Sequence, residues 1–123
     1  MAKQTAIKWL DEPEEHDYPS AASYLGLLFE TEQVAAYVKA LRKAPISTFK
    51  SRDIFRASAL PLLGMSNSKV LKNRRKIKAG EPMSPILLVR TGNGNKVIVA
   101  DGYHRMCSVY GFDQDAIIPC KIV

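Results

Sequence analysis

Residues 85–105 read "PILLVRTGNGNKVIVADGYHR". "PILLVRT" is an apolar run of strand length, and "KVIVA" at 96–100 is a second one rich in β-branched residues. The glycine–asparagine pairs at 92–95 between them predict a tight turn, so the two runs are expected to pair as a hairpin. The second strand leaves through Asp101 and Gly102 into "MCSVYG", which has the character of a helix. A glycine at a strand exit, flanked by Asp101, His104 and Arg105, caps the next helix or surrounds a bound anion.

Moving outward, "AIIPCKIV" closes the chain as a further strand, and the hairpin is preceded by a well-marked helix over Asn67 to Ala79. Ser66 or Asn67 is placed to cap it, and Gly80 followed by Pro82 stops it. Earlier still, "ISTFKS" at 46–51 alternates as a short strand, and "RDIFRASAL" reads as a turn or short helix ending before Pro61. Two helices come before these. One starts at Pro19 and Ser20, with Ala21, Leu25, Leu28 and Phe29 at helical spacing; the other covers Glu32 to Lys43, with Thr31 suited to its N-cap and Val34, Val38 and Leu41 as its apolar stripe. Residues 1–19, with Pro13, Pro19 and the acidic cluster "DEPEEHD", read as an irregular arm anchored by Ile7 and Trp9. His16 lies among carboxylates there and is expected on the solvated surface.

The expected architecture is α/β (α+β): a small mixed sheet of about four strands covered by helices, with two extra N-terminal helices. Residues 1–45 form the arm and those helices, packed on a core of residues 46–123, within one compact domain at this length of 123 residues. No apolar run is long enough for a membrane span, and the N-terminus turns acidic without the apolar stretch of a signal peptide, so a cytoplasmic location is expected. Cys107 and Cys120 belong to no metal-ligand pattern and read as buried free thiols.

Charge is divided unevenly. Residues 1–32 hold seven acids and two lysines, whereas residues 33–123 hold sixteen Lys or Arg and five acids. So basic a body favours anionic partners: nucleotides, nucleic acid or an acidic surface. Within it, Lys69, Lys72 and Lys76 follow the spacing i, i+3, i+7 and share one helix face, either solvated or facing an anion. At the turn, Gly102 lets the backbone approach a ligand closely, and the amides of Tyr103, His104 and Arg105 are the unpaired donors of a helix start, a setting that suits phosphate. Arg105 adds a fork of donors, and His104 donates a hydrogen bond or carries a proton. Asp101 is a candidate helix cap, magnesium ligand or base, and the competing structural role pairs it with Arg105 in a surface ion pair.

The stretches "KVLKNRRKIKAGEPMSPILLV", "VIVADGYHR" and "IIPCKIV" together resemble the ParB/sulfiredoxin-like superfamily, over roughly Phe49 to Val123. The resemblance implies a nucleotide site for ATP or ADP, with CTP a further candidate, and magnesium. Lys69 matches the helix lysine of sulfiredoxins, Lys72 and Lys76 fall where their hydroxyl residues sit, and Gly102, His104 and Arg105 match the turn. Tyr103 stands where sulfiredoxins carry their nucleophilic cysteine, so sulfiredoxin activity is not expected. Of the arginine-rich box of chromosome-partitioning proteins only Gly102 and Arg105 correspond, which argues against centromere binding and a CTP-driven clamp. The motif is nearest the D-G-H-H-R turn of ADP-dependent free-serine kinases and ParB-like nucleases. Those kinases also need a glutamate, for which "KSRDIFRAS" offers only Asp53.

The expectation is therefore a nucleotide- or phosphate-binding domain. Lys69, Lys72, Lys76, Gly102, Tyr103, His104 and Arg105 hold phosphate, and Asp101 and His104 are the candidate catalytic pair should phosphotransfer or hydrolysis occur. Two alternatives remain: a nucleic-acid-binding module using "KNRRKIK" at 72–78, and a small regulatory interaction protein.

Overall fold

The computed structural model describes residues 7–92 and 96–123. In chain order they form α1 (Asp17–Leu25), α2 (Thr31–Lys43), β1 (Ser47–Lys50), α3 (Ser51–Ser58), α4 (Ser68–Lys78), β2 (Ile86–Val89), β3 (Ile98–Asp101), α5 (Tyr103–Phe112) and β4 (Ile117–Ile122). The chain is thus mixed α/β, with five helices and one four-stranded sheet among the described residues. The expected hairpin forms as the antiparallel pair β2–β3; residues 93–95 of its turn lie outside the described residues.

The strand order is β1-β4-β2-β3. The closing strand β4 therefore lies in the middle of the sheet, parallel to β2 and antiparallel to β1. This leaves β3, which leads into the glycine turn, at one edge. A parallel pair needs a crossover connection, and α5 supplies part of it.

Alternation of side chains sorts β2 onto two cores. Ile86 and Leu88 join Ile54, Ile77, Met106, Val109 and Ile118 on the face covered by α3, α4 and α5. Leu87 and Val89 join Tyr18, Ala21, Leu25, Val34 and Leu41 on the face covered by α1 and α2. With both faces covered, all four residues of β2 are buried, which is why its sequence is a continuous apolar run without polar alternation. Burying side chains of this size contributes about 1.5–3 kcal/mol each.

Local signals account for most element ends. The Asn67 side chain accepts from the amides of Lys69 and Val70 at 3.0 and 3.2 Å and so caps α4. Gly80, at φ +75°, ends that helix, and the Glu81 amide returns to the Lys76 carbonyl at 3.0 Å. Three expectations need correction. The first helix ends at Leu25 with Gly26 at its C-cap, so Leu28 and Phe29 lie beyond it. Thr31 is the first residue of α2 and not its cap, Glu30 occupying the cap position in extended backbone. The arm becomes helical at Asp17, two residues before Pro19, because proline is tolerated within a first turn whose amides have no intrahelical partner.

The rest of the arm is fixed by specific contacts. Trp9 bridges to Met83 in parallel register, and the Leu10 amide donates to the Met83 carbonyl at 2.8 Å. Ile7 and Trp9 pack against the core beneath α4 and α5. Glu12 pairs at 3.0 Å with Lys121, a lysine only 2% exposed on β4, whose ammonium also donates to the Arg42 carbonyl at 2.9 Å. Among the described residues no helix is long and apolar enough to cross a membrane.

Candidate functional site

Three segments meet where β3 turns into α5. Gly102 takes φ +110° and ψ 15°, a left-handed conformation that turns the chain from edge strand to helix. A Cβ at this position would lie 2.8 Å from Ile86 Cγ1 and 3.0 Å from Arg105 Nη2. Only glycine leaves room for the Arg105 side chain to fold back beneath the turn. The first amide to return along α5 is that of Met106, which donates to the Gly102 carbonyl at 2.9 Å, and no side chain caps the helix. The amides of Tyr103, His104 and Arg105 thus stand at a helix start without a capping acceptor, the Asp101 carboxylate being turned elsewhere.

The turn sits beside a second helix end. His104 feels the charge of Lys69, Ser108 Oγ donates to the Val70 carbonyl at 2.8 Å, and the Arg74 guanidinium lies 4.5 Å from the centre of the Phe112 ring. These contacts ascend together in both helices, so α4 and α5 run parallel with their N-termini side by side. Their dipoles then add at that end, and the positive potential there favours an anion. Burial first, and then the Lys69 ammonium, hold the His104 imidazole below its ordinary value of 6.5. It is thus neutral at pH 7 and able to donate one hydrogen bond.

A cleft of about 400 Å³ opens on this turn, lined by Ser20 and Tyr24 of α1, Leu60, Val99 to Asp101 of β3, and Gly102, Tyr103 and His104. The Tyr103 hydroxyl donates to the Pro61 carbonyl and so ties the loop after α3 to the cleft wall.

Arg105 points under the turn, away from that opening. Its Nη2 lies 3.0 Å from Asp101 Oδ2 and 3.7 Å from Asp17 Oδ2, and it donates to the Pro85 carbonyl at 3.4 Å. Asp17, only 2% exposed, also accepts from the Ser84 hydroxyl, and its other oxygen is 3.4 Å from His16 Nε2. The Ser84 hydroxyl in turn accepts from the Glu14 amide at 3.0 Å. Burial raises the Asp101 carboxyl above its ordinary value of 3.8; Arg105 pulls it down, and Asp17 adds to the rise. The alternative pairing of Asp101 with Arg105 is the arrangement present, inside the protein and not on its surface.

The candidate residues are therefore not all gathered at one point. Gly102, Tyr103, His104 and Asp101 line the cleft and Lys69 acts on it through His104. Lys72 and Lys76 lie farther along α4, Lys76 about 10 Å from Lys69 at the helical rise per residue. Asp53 lines a different cavity with Phe49, Arg90 and Ile122. Among the described residues no group of three His, Cys, Asp or Glu is placed to hold a metal ion. Cys107 and Cys120 are free and buried. Sequence reasoning missed Asp17, which faces Arg105, and Ser84, which donates to Asp17, and no spacing or motif joins them to the turn.

Compared with known proteins, the chain matches no protein-family model, no curated protein and no solved structure.

Proposed function

We propose that the protein binds the phosphate of a nucleotide at the start of α5. The observation that carries this reading is an uncapped helix N-terminus opening on a cleft that His104 lines, with the charge of Lys69 on the neighbouring helix acting on that imidazole. The resemblance to the ParB/sulfiredoxin-like superfamily rests on these same residues and points to the same reading. In this reading the amides of Tyr103, His104 and Arg105 take phosphate oxygens, Lys69 supplies charge, and His104 orients the group. Arg105 acts as a positioning residue: its guanidinium is engaged by Asp101 and Asp17 and holds the turn in shape. Lys72 and Lys76 extend the positive field along α4.

The ligand class of this reading is ATP, ADP or CTP with magnesium. Magnesium keeps most of its ligands from phosphate and water, and Asp101 is the one carboxylate lining the cleft. Phosphotransfer or hydrolysis would need the Asp101 carboxylate released from Arg105 to act as base toward a group bound there, with His104 on the phosphate; binding does not require either step. The reading takes the protein as cytoplasmic, where nucleotides are abundant and Cys107 and Cys120 stay reduced.

Titration with ATP, ADP, CTP and GTP, each with and without magnesium, tests it by thermal shift. A ligand at about 100 times its dissociation constant adds about 2.7 kcal/mol and raises the midpoint by several degrees. The shift is expected to be lost in Lys69→Ala combined with His104→Ala. No shift with any nucleotide refutes the reading.

A second reading rests on α4 itself. Its sequence "SKVLKNRRKIK" has six basic residues and no acid, and none of the ion pairs among the described residues involves them. Such a face suits a nucleic-acid backbone, and binding would weaken steeply with salt as counterions are released. A flat salt dependence excludes it.

A further inference from the structure

The cleft at the turn does not end there. It shares Tyr24, Leu60 and Val99 with a larger cavity of about 640 Å³, lined further by Leu28, Phe29, Ser58, Ala59, Thr91, Lys96, Val97 and Ile98. The two lobes adjoin at these three residues, and together they line the edge strand β3 from Lys96 to the start of α5. From Val97 to Asp101 that path is about 13 Å at the usual rise of a strand.

The groove is chemically divided. Its turn end carries the uncapped amides, His104 and the field of Lys69. Its other end is mainly apolar, with Leu28, Phe29, Leu60, Val97 and Val99, and carries Lys96 as its one charged residue. Tyr24 is 44% exposed and lines both lobes, so it stands at the junction of the polar and apolar ends. The few hydroxyls at the apolar end are already engaged: Ser58 Oγ donates to the Phe55 carbonyl at 3.3 Å, and Thr91 Oγ1 to the Lys96 carbonyl at 2.8 Å.

From this division we infer that the groove along β3 holds the nucleoside of the bound nucleotide, with Tyr24 as the residue that meets its ring system; the inference rests on the phosphate reading above. An anion site joined to an apolar channel of this length matches a ligand charged at one end and flat and apolar at the other. A nucleoside diphosphate has that shape: phosphates at the α5 amides, ribose across Val99 and Leu60, base in the larger lobe. Tyr24 is on α1 and Leu28 in the turn that follows it, so the N-terminal region supplies one wall of the site.

The test compares inorganic pyrophosphate, adenosine, and the diphosphates of adenosine, guanosine, cytidine and uridine by calorimetric titration on the full chain. Stacking on an aromatic side chain is worth about tenfold or more in affinity. At least one nucleoside diphosphate is therefore expected to bind about tenfold tighter than pyrophosphate. Tyr24→Ala, a substitution at a half-exposed position, is expected to remove most of that advantage and leave pyrophosphate binding unchanged. Lys69→Ala is expected to weaken pyrophosphate and nucleotides alike. Equal affinity for pyrophosphate and every diphosphate, or diphosphate affinity unchanged in Tyr24→Ala, overturns the groove assignment while leaving the phosphate reading intact. Binding of adenosine without pyrophosphate overturns the phosphate reading and keeps the groove. Binding of none of these probes overturns both.

Discussion

Asp17 on the first helix and Arg105 on the last come within 3.7 Å of each other beneath the glycine turn, with Asp101 completing the cluster at 3.0 Å from the same guanidinium nitrogen. One arginine thereby joins α1, β3 and α5. Ser84, bonded to both Asp17 and the Glu14 amide, adds the segment before β2 and the N-terminal arm.

Removing the arginine should be costly. Arg105→Ala leaves two largely buried carboxylates facing each other, and breaking such a pair typically costs about 3–5 kcal/mol. Urea denaturation is expected to show a loss of that order. A loss below about 1 kcal/mol, the range of exposed ion pairs, would mean that the cluster is solvated and does not hold the turn.

Gly102→Ala should also destabilise the fold, for two separate reasons. The residue sits at φ +110°, and its new methyl would fall 2.8 Å from Ile86 Cγ1. Backbone strain alone is about 1–3 kcal/mol, so the thermal midpoint is expected to fall by at least several degrees. An unchanged midpoint would show that the strand-to-helix turn does not need this conformation.

His104 gives the pH dependence. Its folded value lies below 6.5, so the unfolded chain binds the proton more tightly and stability rises with pH across the window between the two values. The contribution is present above 6.5 and is lost as the pH falls through the folded value. Proton NMR should find the His104 resonance titrating below 6.5, and Lys69→Ala should raise its midpoint because a repelling cation is gone. A bound phosphate should raise it too, by favouring the imidazolium. No change in Lys69→Ala would place the two side chains out of electrostatic reach.

The cysteines should be inert in the native protein. Burial pushes the Cys120 thiol up to about 12 and raises Cys107 above its ordinary value. A thiol reagent at pH 8 is expected to label neither until urea unfolds the chain, since the thiolate is the reacting form. Rapid labelling of native protein would contradict their burial.

Much of this molecule was legible along the chain because the signals are local. Apolar runs at 86–89 and 98–100, the Asn67 cap and Gly80 at the end of α4 each act over a few residues, so spacing alone placed those elements. The glycine turn was legible for the same reason, its free amides following from Gly102 and the helix after it. The insertion of β4 between β1 and β2 was not, since strand order depends on which edges meet across the whole chain. The partners of Arg105 divide in the same way. Asp101 lies four residues away across the glycine turn, while Asp17, held by Ser84, reaches it only because α1 packs over β3. A pair four residues apart across one strand-to-helix turn is set by local backbone geometry. A buried cluster drawn from four segments exists only once hydrophobic burial has brought those segments together, and it was the tertiary structure that turned Arg105 inward and left the amides above it facing an open cleft.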